Sequence, residues 1–375
     1  MLTSLQIGMT AAKAERGGLD RYFFSLNRAL PDQDVAVRGL VVGQQQDLEA
    51  GEQAVCFAPA GANLIKRWKA LRQSVPSLLN NADLVVSHFA PYTFPVLDQI
   101  RSRPLVVHFH GPWASEGAAE GAGKASIFLK RAIERVVYAR GSRLIVLSRA
   151  FASILEREYG VSHSRVHVVP GGVDLERFTV RESRLEARAI LGWPTDRPIV
   201  FTLRRLVRAK GVENLIDAVD EVRRRVHDVL FIVAGTGPLA PALKQRVAER
   251  KLDSFVRFAG YVADADLPTL YRAADLFVVP TVALEGFGLV VIEALACGTP
   301  ALVTPIAGLP EVVSDLEAAL IFEGTRPDQL ASGIAKAVTG DLRLPSEAQC
   351  IAYAARFSWP TIASRVAGIY REAAR

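Results

Sequence analysis

Short apolar segments alternate along the chain with longer segments in which apolar residues recur at helical spacing. Continuous apolar runs are typical of parallel strands, and their alternation with helices predicts an α/β fold. The first half of the chain contains seven strand candidates, at residues 5–9, 35–42, 54–58, 84–89, 104–110, 143–148 and 166–170. The second half contains six, at residues 198–203, 229–235, 256–261, 276–280, 300–304 and 318–323.

Two strand sets of similar size predict two doubly wound, Rossmann-like domains rather than one. A charged stretch that ends in Gly192-Trp193-Pro194 separates the sets, so we expect the first domain over residues 1–180 and the second over 181–357. Ligands of open α/β sheets bind outside the carboxyl ends of the strands. We therefore expect the functional residues immediately after strands, in a central cleft that both domains face.

The most informative segment, residues 280–300, follows a strand candidate and opens a helix near Gly288. Backbone amides at a helix start, approached closely through glycine, form a seat for phosphate. Glu285 and Glu293 stand eight residues apart. In an unbroken helix that is about 12 Å, wider than the carboxylate pair of a glycosidase. The spacing suits two carboxylates that bind a sugar and a ribose at opposite ends of one ligand, and a capped surface helix with two solvated glutamates is the alternative.

A second segment, residues 201–211, carries four cations directly after a strand candidate: Arg204, Arg205, Arg208 and Lys210. Fixed arginine and lysine side chains can neutralise a diphosphate and stabilise the charge on a leaving group. Such fixed charges can do the work that a metal ion does elsewhere, so we expect chemistry without a metal ion or another cofactor. A solvated basic loop is the alternative interpretation.

In the first domain, the segment His108-Phe109-His110-Gly111 ends a strand candidate. Strand alternation places both histidines on one face and Phe109 on the other. Gly111 frees the backbone to approach a ligand. The pattern favours a functional role for the histidine pair, and the alternative is a structural one.

Weaker signals come from glycine turns after other strands. Gly17-Gly18 follows the first strand and its loop, and Gly235-Thr236-Gly237 follows a strand of the second domain. Tyr261-Val262 ends the next strand candidate. No G-x-G-x-x-G follows the first strand, so the fingerprint of an NAD-binding domain is missing.

In this order and spacing, the motifs resemble those of glycosyltransferase family 4, whose fold is the two-domain GT-B architecture. The matching segments are the Glu-x7-Glu run, Arg-Leu-x3-Lys-Gly at residues 205–211, His-x-His-Gly, the early Gly-Gly pair and Val169-Pro170-Gly171-Gly172-Val173-Asp174. The resemblance covers essentially the whole chain. The ending, from Phe357 to Tyr370, is similar to that of relatives whose final helix, here about 358–375, packs back onto the first domain. One departure is Arg204, where many relatives have glycine, which leaves open which arginine grips the phosphate.

The resemblance implies a retaining, metal-independent transferase that moves a hexose-type sugar from a UDP- or GDP-sugar to a hydroxyl acceptor. It implies that Arg205 and Lys210 bind the donor diphosphate, Glu293 the ribose and Glu285 the transferred sugar. His110 is implied to lie beside the reacting centre. Front-face attack, in which the leaving phosphate helps to deprotonate the acceptor, requires no enzymic nucleophile. Further donor contacts are implied for Gly17, Gly18, Gly237, Tyr261, Val262, Gly286, Phe287, Gly288 and Leu289.

Positive charge is concentrated in the first half of the chain. The net charge is +6, and residues 61–149 carry 13 basic against 5 acidic side chains. Within them, residues 63–79 form a predicted basic amphipathic helix whose apolar face is Leu64, Trp68, Leu71 and Val75. Such a helix can lie on anionic lipid, which would suit a lipid-linked acceptor, and an ordinary helix packed on the sheet is the alternative. Because no nucleic-acid-binding motif accompanies the charge, we expect no nucleic-acid partner.

The N-terminus is typical of a buried strand rather than of a signal peptide. No apolar run approaches the roughly 20 residues of a membrane helix. We therefore expect a cytoplasmic protein with peripheral contact to the inner membrane face. Cys56, Cys297 and Cys350 lie far apart in the chain, which indicates isolated thiols rather than disulfides or a zinc site.

The expected setting is polysaccharide or glycolipid synthesis, with a carbohydrate or lipid-linked acceptor. Two other functions remain open at this stage. One is a catalytically silent nucleotide-sugar-binding sensor or assembly protein, and the other is a different GT-B enzyme such as a nucleotide-sugar epimerase. The presence of Glu285, His110 and Lys210 favours the transferase, since a sensor need not keep the reacting end of the site.

Overall fold

The computed structural model describes residues 1–12, 17–119 and 121–375, which form two compact units. Unit 1 comprises Met1–Gly172 together with Trp359–Arg375, and unit 2 comprises Val173–Ser358. The boundary lies at residues 172–173 rather than at 180–181. The amide of Val173 donates to the carbonyl of Phe357, and the thiol of Cys297 donates to the carbonyl of Phe178. These contacts join residues 173–180 to the second unit.

The core of unit 1 is a parallel sheet of seven strands. They are β1 Leu2–Thr10, β2 Val35–Val42, β3 Ala54–Ala58, β4 Leu84–Ser87, β5 Leu105–Phe109, β6 Arg143–Val146 and β7 Val166–Val168. They pair in the order β3-β2-β1-β4-β5-β6-β7. Between them lie α1 Gly18–Ala29, α2 Leu64–Leu79, α3 Ala90–Thr93, α4 Trp113–Ala119, α5 Lys124–Arg140 and α6 Arg149–Tyr159.

Unit 2 is built on a second parallel sheet, of five strands. They are β8 Ile199–Leu203, β9 Leu230–Ala234, β10 Val256–Gly260, β11 Leu276–Val279 and β12 Ala301–Val303, in the order β10-β9-β8-β11-β12. The helices are α7 Leu175–Phe178, α8 Arg184–Leu191, α9 Val212–Arg225, α10 Ala240–Glu249, α11 Leu267–Ala273, α12 Leu289–Ala296, α13 Leu309–Val313, α14 Pro327–Thr339 and α15 Glu347–Ala354. Together the two units confirm the predicted pair of α/β domains.

The last helix, α16 Trp359–Ala374, belongs to unit 1. It packs beside α1 and contacts β4 and β5. Val366 and Tyr370 of α16 are fully buried, as are Leu5 and Ile7 of the central strand β1. The end of the chain therefore supplies part of the core of the first unit.

One predicted strand is absent. Residues 318–323 form a short 3-10 helix, Ala318–Leu320, followed by a single bridge between Ile321 and Val303. The carboxylate of Glu317 accepts a hydrogen bond from the amide of Ala319 at 3.1 Å. Such local side-chain capping favours a turn over an extended ladder, so the apolar composition of this segment was a misleading signal.

The strand order identifies where each sheet should bind a ligand. In unit 1 the direction of winding reverses between β1 and β4, and in unit 2 it reverses between β8 and β11. Open α/β sheets bind ligands outside the carboxyl ends of the strands at such switch points. Residues 88 and 204 directly follow a switch-point strand, and the loops after β1 and β11 complete the two sets.

The three cysteines are free thiols, as the sequence indicated. Burial raises the pKa of the Cys350 thiol to about 12 and also raises that of Cys297. Buried protonated thiols are inert toward oxidation and metal binding. Within the ranges that the structure describes, every helix is too short or too polar to cross a bilayer.

Candidate active site

Three loops that follow neighbouring strands of unit 2 are joined by backbone hydrogen bonds. The amide of Leu206, after β8, donates to the carbonyl of Thr236, after β9, at 2.8 Å. The amide of Val282, after β11, donates to the carbonyl of Ala209 at 3.0 Å. The basic segment, the Gly-Thr-Gly turn and the start of the Glu-x7-Glu segment therefore form one loop cluster at the switch point.

Two glycines make this close approach possible. A Cβ at Gly211, whose φ is +67°, would lie 1.9 Å from the carbonyl oxygen of Pro280. A Cβ at Gly237 would lie 2.4 Å from the carbonyl oxygen of Leu206. Packing of backbone on backbone thus explains both glycines without a ligand, including Gly237, which the sequence assigned to donor binding.

The centre of the loop cluster is an ion triad of Arg204, Lys210 and Glu285. Glu285 Oε2 accepts a hydrogen bond from Lys210 Nζ at 2.9 Å and another from the guanidinium of Arg204. Arg204 also donates to Thr281 Oγ1 at 2.9 Å. The side chains of Arg204, Lys210 and Glu285 are 5%, 19% and 14% exposed. The interpretation of a fully solvated basic loop is therefore wrong for Arg204 and Lys210.

The triad determines the ionisation of its members. Burial acts to raise the pKa of the Glu285 carboxyl, but the charges of Arg204 and Lys210 outweigh it and lower that pKa to about 2. Burial lowers the pKa of the Lys210 ammonium, and Glu285 opposes that change. Glu285 is therefore ionised at neutral pH and acts as a hydrogen-bond acceptor, which suits the binding of hydroxyl groups.

The backbone around Glu285 is held in an unusual conformation. Leu284 has a φ of 52°, in the left-handed region that residues with a side chain seldom occupy. The carbonyl of Glu285 accepts a hydrogen bond from the amide of Gly308 at 3.0 Å. Such strain persists where the surrounding structure over-determines it, and it clusters at functional sites. In this loop conformation the Glu285 carboxylate lies against Arg204 and Lys210.

Helix α12 begins where the sequence predicted, with Gly288 at its N-cap and a φ of +84°. Phe287 is buried against Phe357, with ring centroids 5.7 Å apart. Glu293 is only 6% exposed and accepts a hydrogen bond from Tyr271 Oη at 2.9 Å. The alternative of a surface helix with two solvated glutamates is therefore wrong.

The other sequence-derived donor residues of unit 2 lie nearer the surface. Gly286, Val262 and Leu289 are partly buried. Tyr261, at the end of the edge strand β10, is 71% exposed. Arg205 is exposed, and its charge contributes to the lowered pKa of Lys210. It is Arg204, the departure from the family pattern, that lies against Glu285.

In unit 1 the switch point brings together the start of α1 and the end of β4. Gly17 precedes α1 and Gly18 is its first residue. Among the residues that the structure describes, none has an atom within 4 Å of where a Cβ at Gly18 would lie. The Asp20 carboxylate accepts hydrogen bonds from the amides of Gly17 and Thr10, at 2.9 and 3.0 Å. Asp20 therefore already satisfies part of the donor set at this helix start.

Three histidines stack beside this point. His88 directly follows β4, and His108 and His110 lie at the end of β5. The rings of His88 and His108 are 4.4 Å apart, and those of His88 and His110 are 5.4 Å apart, each pair within 18° of parallel. Phe109 points away and packs on Phe151. The predicted alternation along β5 is confirmed.

The histidine cluster is uncharged. His88 and His108 are nearly fully buried, and His110 is partly buried. Burial lowers the pKa of His110 to about 3 and lowers the pKa of His88 and His108 well below the ordinary value. Mutual repulsion within the cluster adds to the effect at His88 and His108. At neutral pH each ring therefore carries one donor nitrogen and one acceptor nitrogen.

The ring nitrogens of the three histidines lie within 4.8 Å of one another, which raises the question of a metal ion. The nitrogens of His88 and His108 already have protein partners. His88 contacts Gln6 Oε1 through Nε2 at 2.8 Å and His110 Nε2 through Nδ1 at 3.2 Å. His108 contacts Tyr22 Oη and Tyr370 Oη through its two nitrogens, at 3.2 and 2.8 Å. Among the described residues, the three histidines therefore belong to one hydrogen-bond network.

A buried carboxylate positions the segment after His110. Glu134 of α5 is fully buried, and it accepts hydrogen bonds from the amides of Trp113 and Ala114 at 2.7 and 3.2 Å. It also accepts from Tyr138 Oη and Tyr159 Oη. Burial raises the pKa of this carboxyl, and the four donors oppose that change. Glu134 thus fixes the start of α4, three residues after His110.

Residues 183–357 match the family model described as Glycosyl transferases group 1, and residues 16–177 match the model described as Glycosyltransferase Family 4. The chain is 32% identical over 355 residues to the D-inositol 3-phosphate glycosyltransferase of Saccharomonospora viridis. That alignment covers 90% of this chain and 80% of the relative. The chain belongs to glycosyltransferase family 4.

Further comparisons agree with this membership. A D-inositol 3-phosphate glycosyltransferase of Acidothermus cellulolyticus is 30% identical to this family 4 glycosyltransferase, over 96% of this chain and 83% of that protein. Over a shorter alignment, the chain is 35% identical to D-inositol 3-phosphate glycosyltransferase 2 of Catenulispora acidiphila. That alignment covers 61% of this chain and 55% of that protein.

Solved structures share the fold of the family 4 enzyme. The crystal structure of Anabaena HepE with UDP-glucose has a TM-score of 0.80 at 21% identity, covering 99% of this chain and all of that one. Sucrose-phosphate synthase from Thermosynechococcus elongatus has a TM-score of 0.79 at 21% identity, covering 99% of both chains. The predicted GT-B fold is confirmed.

Several residues of the site had no role assigned from the sequence. Arg204 was one of the four cations of its segment, but the phosphate contact was assigned to Arg205 and Lys210. Thr281 lies inside the Glu-x7-Glu segment without a role of its own, and Tyr271 belongs to no motif. His88 stands directly after a switch-point strand, so the rule that selected His110 would have selected it too. Gln6, which contacts His88, lies inside β1, where no local pattern separates it from an ordinary strand residue.

Proposed function

We propose that this glycosyltransferase moves a hexose-type sugar from a UDP- or GDP-sugar to a hydroxyl acceptor, with retention of configuration and without a metal ion. The observation that carries the proposal is the ion triad of Arg204, Lys210 and Glu285 at the switch point of unit 2. A diphosphate needs fixed positive charge, and a sugar needs an ionised hydroxyl acceptor beside it. The triad supplies both within one loop cluster.

The chemistry follows from the charges. Lys210, with the neighbouring arginines, would stabilise the negative charge that develops on the departing diphosphate, as a metal does in other transferases. Glu285 would hold sugar hydroxyls through its remaining lone pairs, since Arg204 and Lys210 already engage Oε2. A carboxylate paired with two cations is a poor nucleophile. This favours front-face attack, in which the leaving phosphate accepts the acceptor proton.

The relatives guide the choice of substrates. Several curated relatives are named D-inositol 3-phosphate glycosyltransferases, and Anabaena HepE was crystallised with UDP-glucose. The excess of basic residues at 61–149 would suit an acceptor that carries negative charge. We therefore propose a UDP-hexose as the first donor to test and an anionic, carbohydrate or lipid-linked acceptor, used in polysaccharide or glycolipid synthesis.

The test is thermal-shift binding against UDP-, GDP- and ADP-sugars with EDTA present throughout. A ligand that binds only the folded state raises its stability, by about 2.7 kcal/mol at a hundred times Kd. We expect one nucleotide series to stabilise the protein without metal. Lys210→Ala should abolish that stabilisation, whereas Lys244→Ala, at an exposed position of α10, should not.

The same samples distinguish an enzyme from a silent sensor. Slow release of free sugar and nucleoside diphosphate from the stabilising donor is expected of a transferase that lacks its acceptor. Stabilisation without any turnover, even with sugar acceptors added, would favour the sensor. Stabilisation that appears only with added divalent metal would contradict the metal-free proposal.

We also propose that unit 1 contacts anionic membrane through an apolar patch on α2 and α5, defined as Leu64, Ile65, Phe128 and Leu129. Their exposed fractions are 38%, 76%, 77% and 62%. The helix predicted at residues 63–79 is present as Leu64–Leu79. Leu71 and Val75 of its predicted apolar face are buried, as in the alternative of a helix packed on the sheet. Leu64, assigned to the same apolar face, instead lies in the patch.

Position and charge support this surface. Helix α2 follows β3, and α5 follows α4, which comes after β5 of the same sheet; both helices contact the short 3-10 helix Phe94–Val96. Exposed lysines, Lys66 and Lys124, lie in the first turns of the two helices. Apolar side chains beside lysines are the composition of surfaces that enter the headgroup layer of anionic lipid.

Replacing Phe128 and Leu129 by serine should weaken binding to phosphatidylglycerol vesicles at least about tenfold. Burial of each such side chain in the acyl boundary contributes about 1.5–3 kcal/mol. Co-sedimentation with vesicles measures the effect. The matched control is Leu185→Ser with Ile190→Ser, at exposed apolar positions of α8 in unit 2. An equal loss in the control, or equal binding to phosphatidylcholine alone, would reject the patch.

A further inference from the structure

The central strand of unit 1 carries two buried polar side chains that the proposed chemistry does not use. Ser4 and Gln6 are both fully buried and, being two residues apart, point to the same face of β1. Burying a hydroxyl and an amide is costly unless each is hydrogen-bonded. Both are hydrogen-bonded, and they belong to a series of hydrogen bonds that leads to His110.

The hydrogen bonds from Ala36 to His88 can have only one assignment of donors and acceptors. The carbonyl of Ala36 can only accept, so the Ser4 hydroxyl, 3.1 Å away, donates to it. Ser4 Oγ is then the acceptor for Gln6 Nε2 at 3.0 Å. This orients the amide so that Gln6 Oε1 faces His88 Nε2 at 2.8 Å. An amide oxygen only accepts, so His88 Nε2 carries a proton.

The hydrogen bond between His88 and His110 also has one direction, because both rings are neutral. A neutral His88 with its proton on Nε2 has an acceptor at Nδ1, and this atom lies 3.2 Å from His110 Nε2. His110 must therefore donate through Nε2. Because burial keeps His110 neutral, its Nδ1 is unprotonated. Within the described parts of the chain, His110 Nδ1 has no hydrogen-bond partner.

We propose that Gln6 and His88 are positioning residues that fix His110 as the Nε2–H tautomer, so that it presents the acceptor nitrogen Nδ1 to a sugar hydroxyl. The tautomer proposal rests on the proposed function, because it assumes that His110 contacts the reacting sugar. The donor and acceptor roles along the series are set by the carbonyl of Ala36, because a backbone carbonyl can only accept whereas a hydroxyl can donate or accept. The wrong tautomer would place a donor where a hydroxyl must donate.

A separate branch provides the control. Gln6 Nε2 also lies 3.4 Å from Tyr370 Oη, which contacts His108 Nε2, and Tyr22 Oη contacts His108 Nδ1. Tyr22, like Gln6, is almost fully buried, and Tyr22→Phe removes its hydroxyl from the same cluster. The hydrogen bonds from Ala36 to His110 remain intact in this variant. Tyr22 packs edge-on to His110 at 4.9 Å, and phenylalanine keeps that ring.

The tautomer is measured directly by long-range proton–nitrogen correlation on protein with nitrogen-15 histidine at neutral pH. The His110 signals are assigned by their loss in His110→Gln. We expect Nε2 to be protonated and Nδ1 to be unprotonated in the wild type. Gln6→Met, which removes the acceptor, should shift His110 toward a tautomer mixture. Tyr22→Phe, which leaves Gln6, His88 and the hydrogen bonds between them unchanged, should not shift it.

Kinetics test the positioning role. Gln6→Met should lower kcat by about tenfold or more, since a misplaced proton forfeits part of the usual acid–base contribution, and should leave the donor KM little changed. A proton on His110 Nδ1 in the wild-type spectrum would overturn the proposal even if no variant folds. An unchanged kcat despite an altered tautomer would overturn the positioning role. Absence of transfer by the wild type would refute the proposed function and leave the tautomer result standing.

Discussion

Replacing Glu285 by glutamine is expected to reduce glycosyl transfer by at least about 100-fold, the usual cost of removing one preorganised group from a charge-stabilising site. The amide has nearly the same shape but lacks the charge that balances Arg204 and Lys210. It also turns one of the two acceptor atoms into a donor. Initial rates of nucleoside diphosphate release, with donor and acceptor saturating, measure the effect.

The same substitution should destabilise the protein without unfolding it. Removing one partner of a buried ion pair typically costs about 3–5 kcal/mol, within a total stability of about 5–15 kcal/mol. Urea unfolding quantifies the loss. Glu221→Gln, which breaks an exposed pair with Arg225 on α9, is the control and should change neither rate nor stability by a measurable amount. A Glu285→Gln enzyme with wild-type rates would reject the assignment of the site.

Mild acid is expected to unfold unit 1 before unit 2. The three stacked histidines are neutral when folded, because burial lowers their pKa below the ordinary value of 6.5. In the unfolded chain they bind protons near pH 6.5, so stability falls as the pH drops below that value. Each group contributes a slope of about 1.4 kcal/mol per pH unit, and three give about 4 kcal/mol per unit.

The Glu285 triad of unit 2 responds over a lower pH range. The folded pKa of Glu285 is about 2 against an ordinary value of 4.5, so its contribution is present above pH 4.5 and is lost between 4.5 and 2. Urea unfolding followed by tryptophan fluorescence, at neutral pH and near pH 5, measures the difference. His163→Gln, at a side chain that is 90% exposed, should keep the wild-type slope. Stability that stays constant down to pH 5 would show that the histidines are protonated in the folded state.

Apolar patterning was sufficient to locate most of the sheet. The segment predicted at 104–110 contains β5, because a continuous apolar run is satisfied only where both faces of a strand are buried. Residues 318–323 have a similar composition but form a 3-10 turn. In this segment the Glu317 carboxylate accepts a hydrogen bond from the amide of Ala319, which favours the turn. In the described structure its strand pairing is limited to a single bridge between Ile321 and Val303. Composition does not report whether a neighbouring strand is available.

The candidate site was partly predictable for a related reason. Lys210 and Glu285 follow strands of the sheet of unit 2, and His110 follows a strand of the sheet of unit 1. The carboxyl ends of parallel strands meet at one edge of their sheet. Which side chains touch there was not predictable. Arg204 and Glu285 are 81 residues apart in the chain, and Gln6 and His88 are 82 apart. Such pairs leave no local pattern, since each residue is compatible with its own strand or loop without the other.

By itself, the sequence determined the α/β class, the two-domain organisation and the loops that carry the chemistry, because hydrophobic periodicity and glycine placement act over a few residues. Only the tertiary structure decided that Arg204 pairs with Glu285, that Glu293 is held by Tyr271, and that the last helix brings Tyr370 to His108. It also decided the protonation states, since pKa values depend on burial and on neighbouring charges. Both arise when distant segments exclude water together.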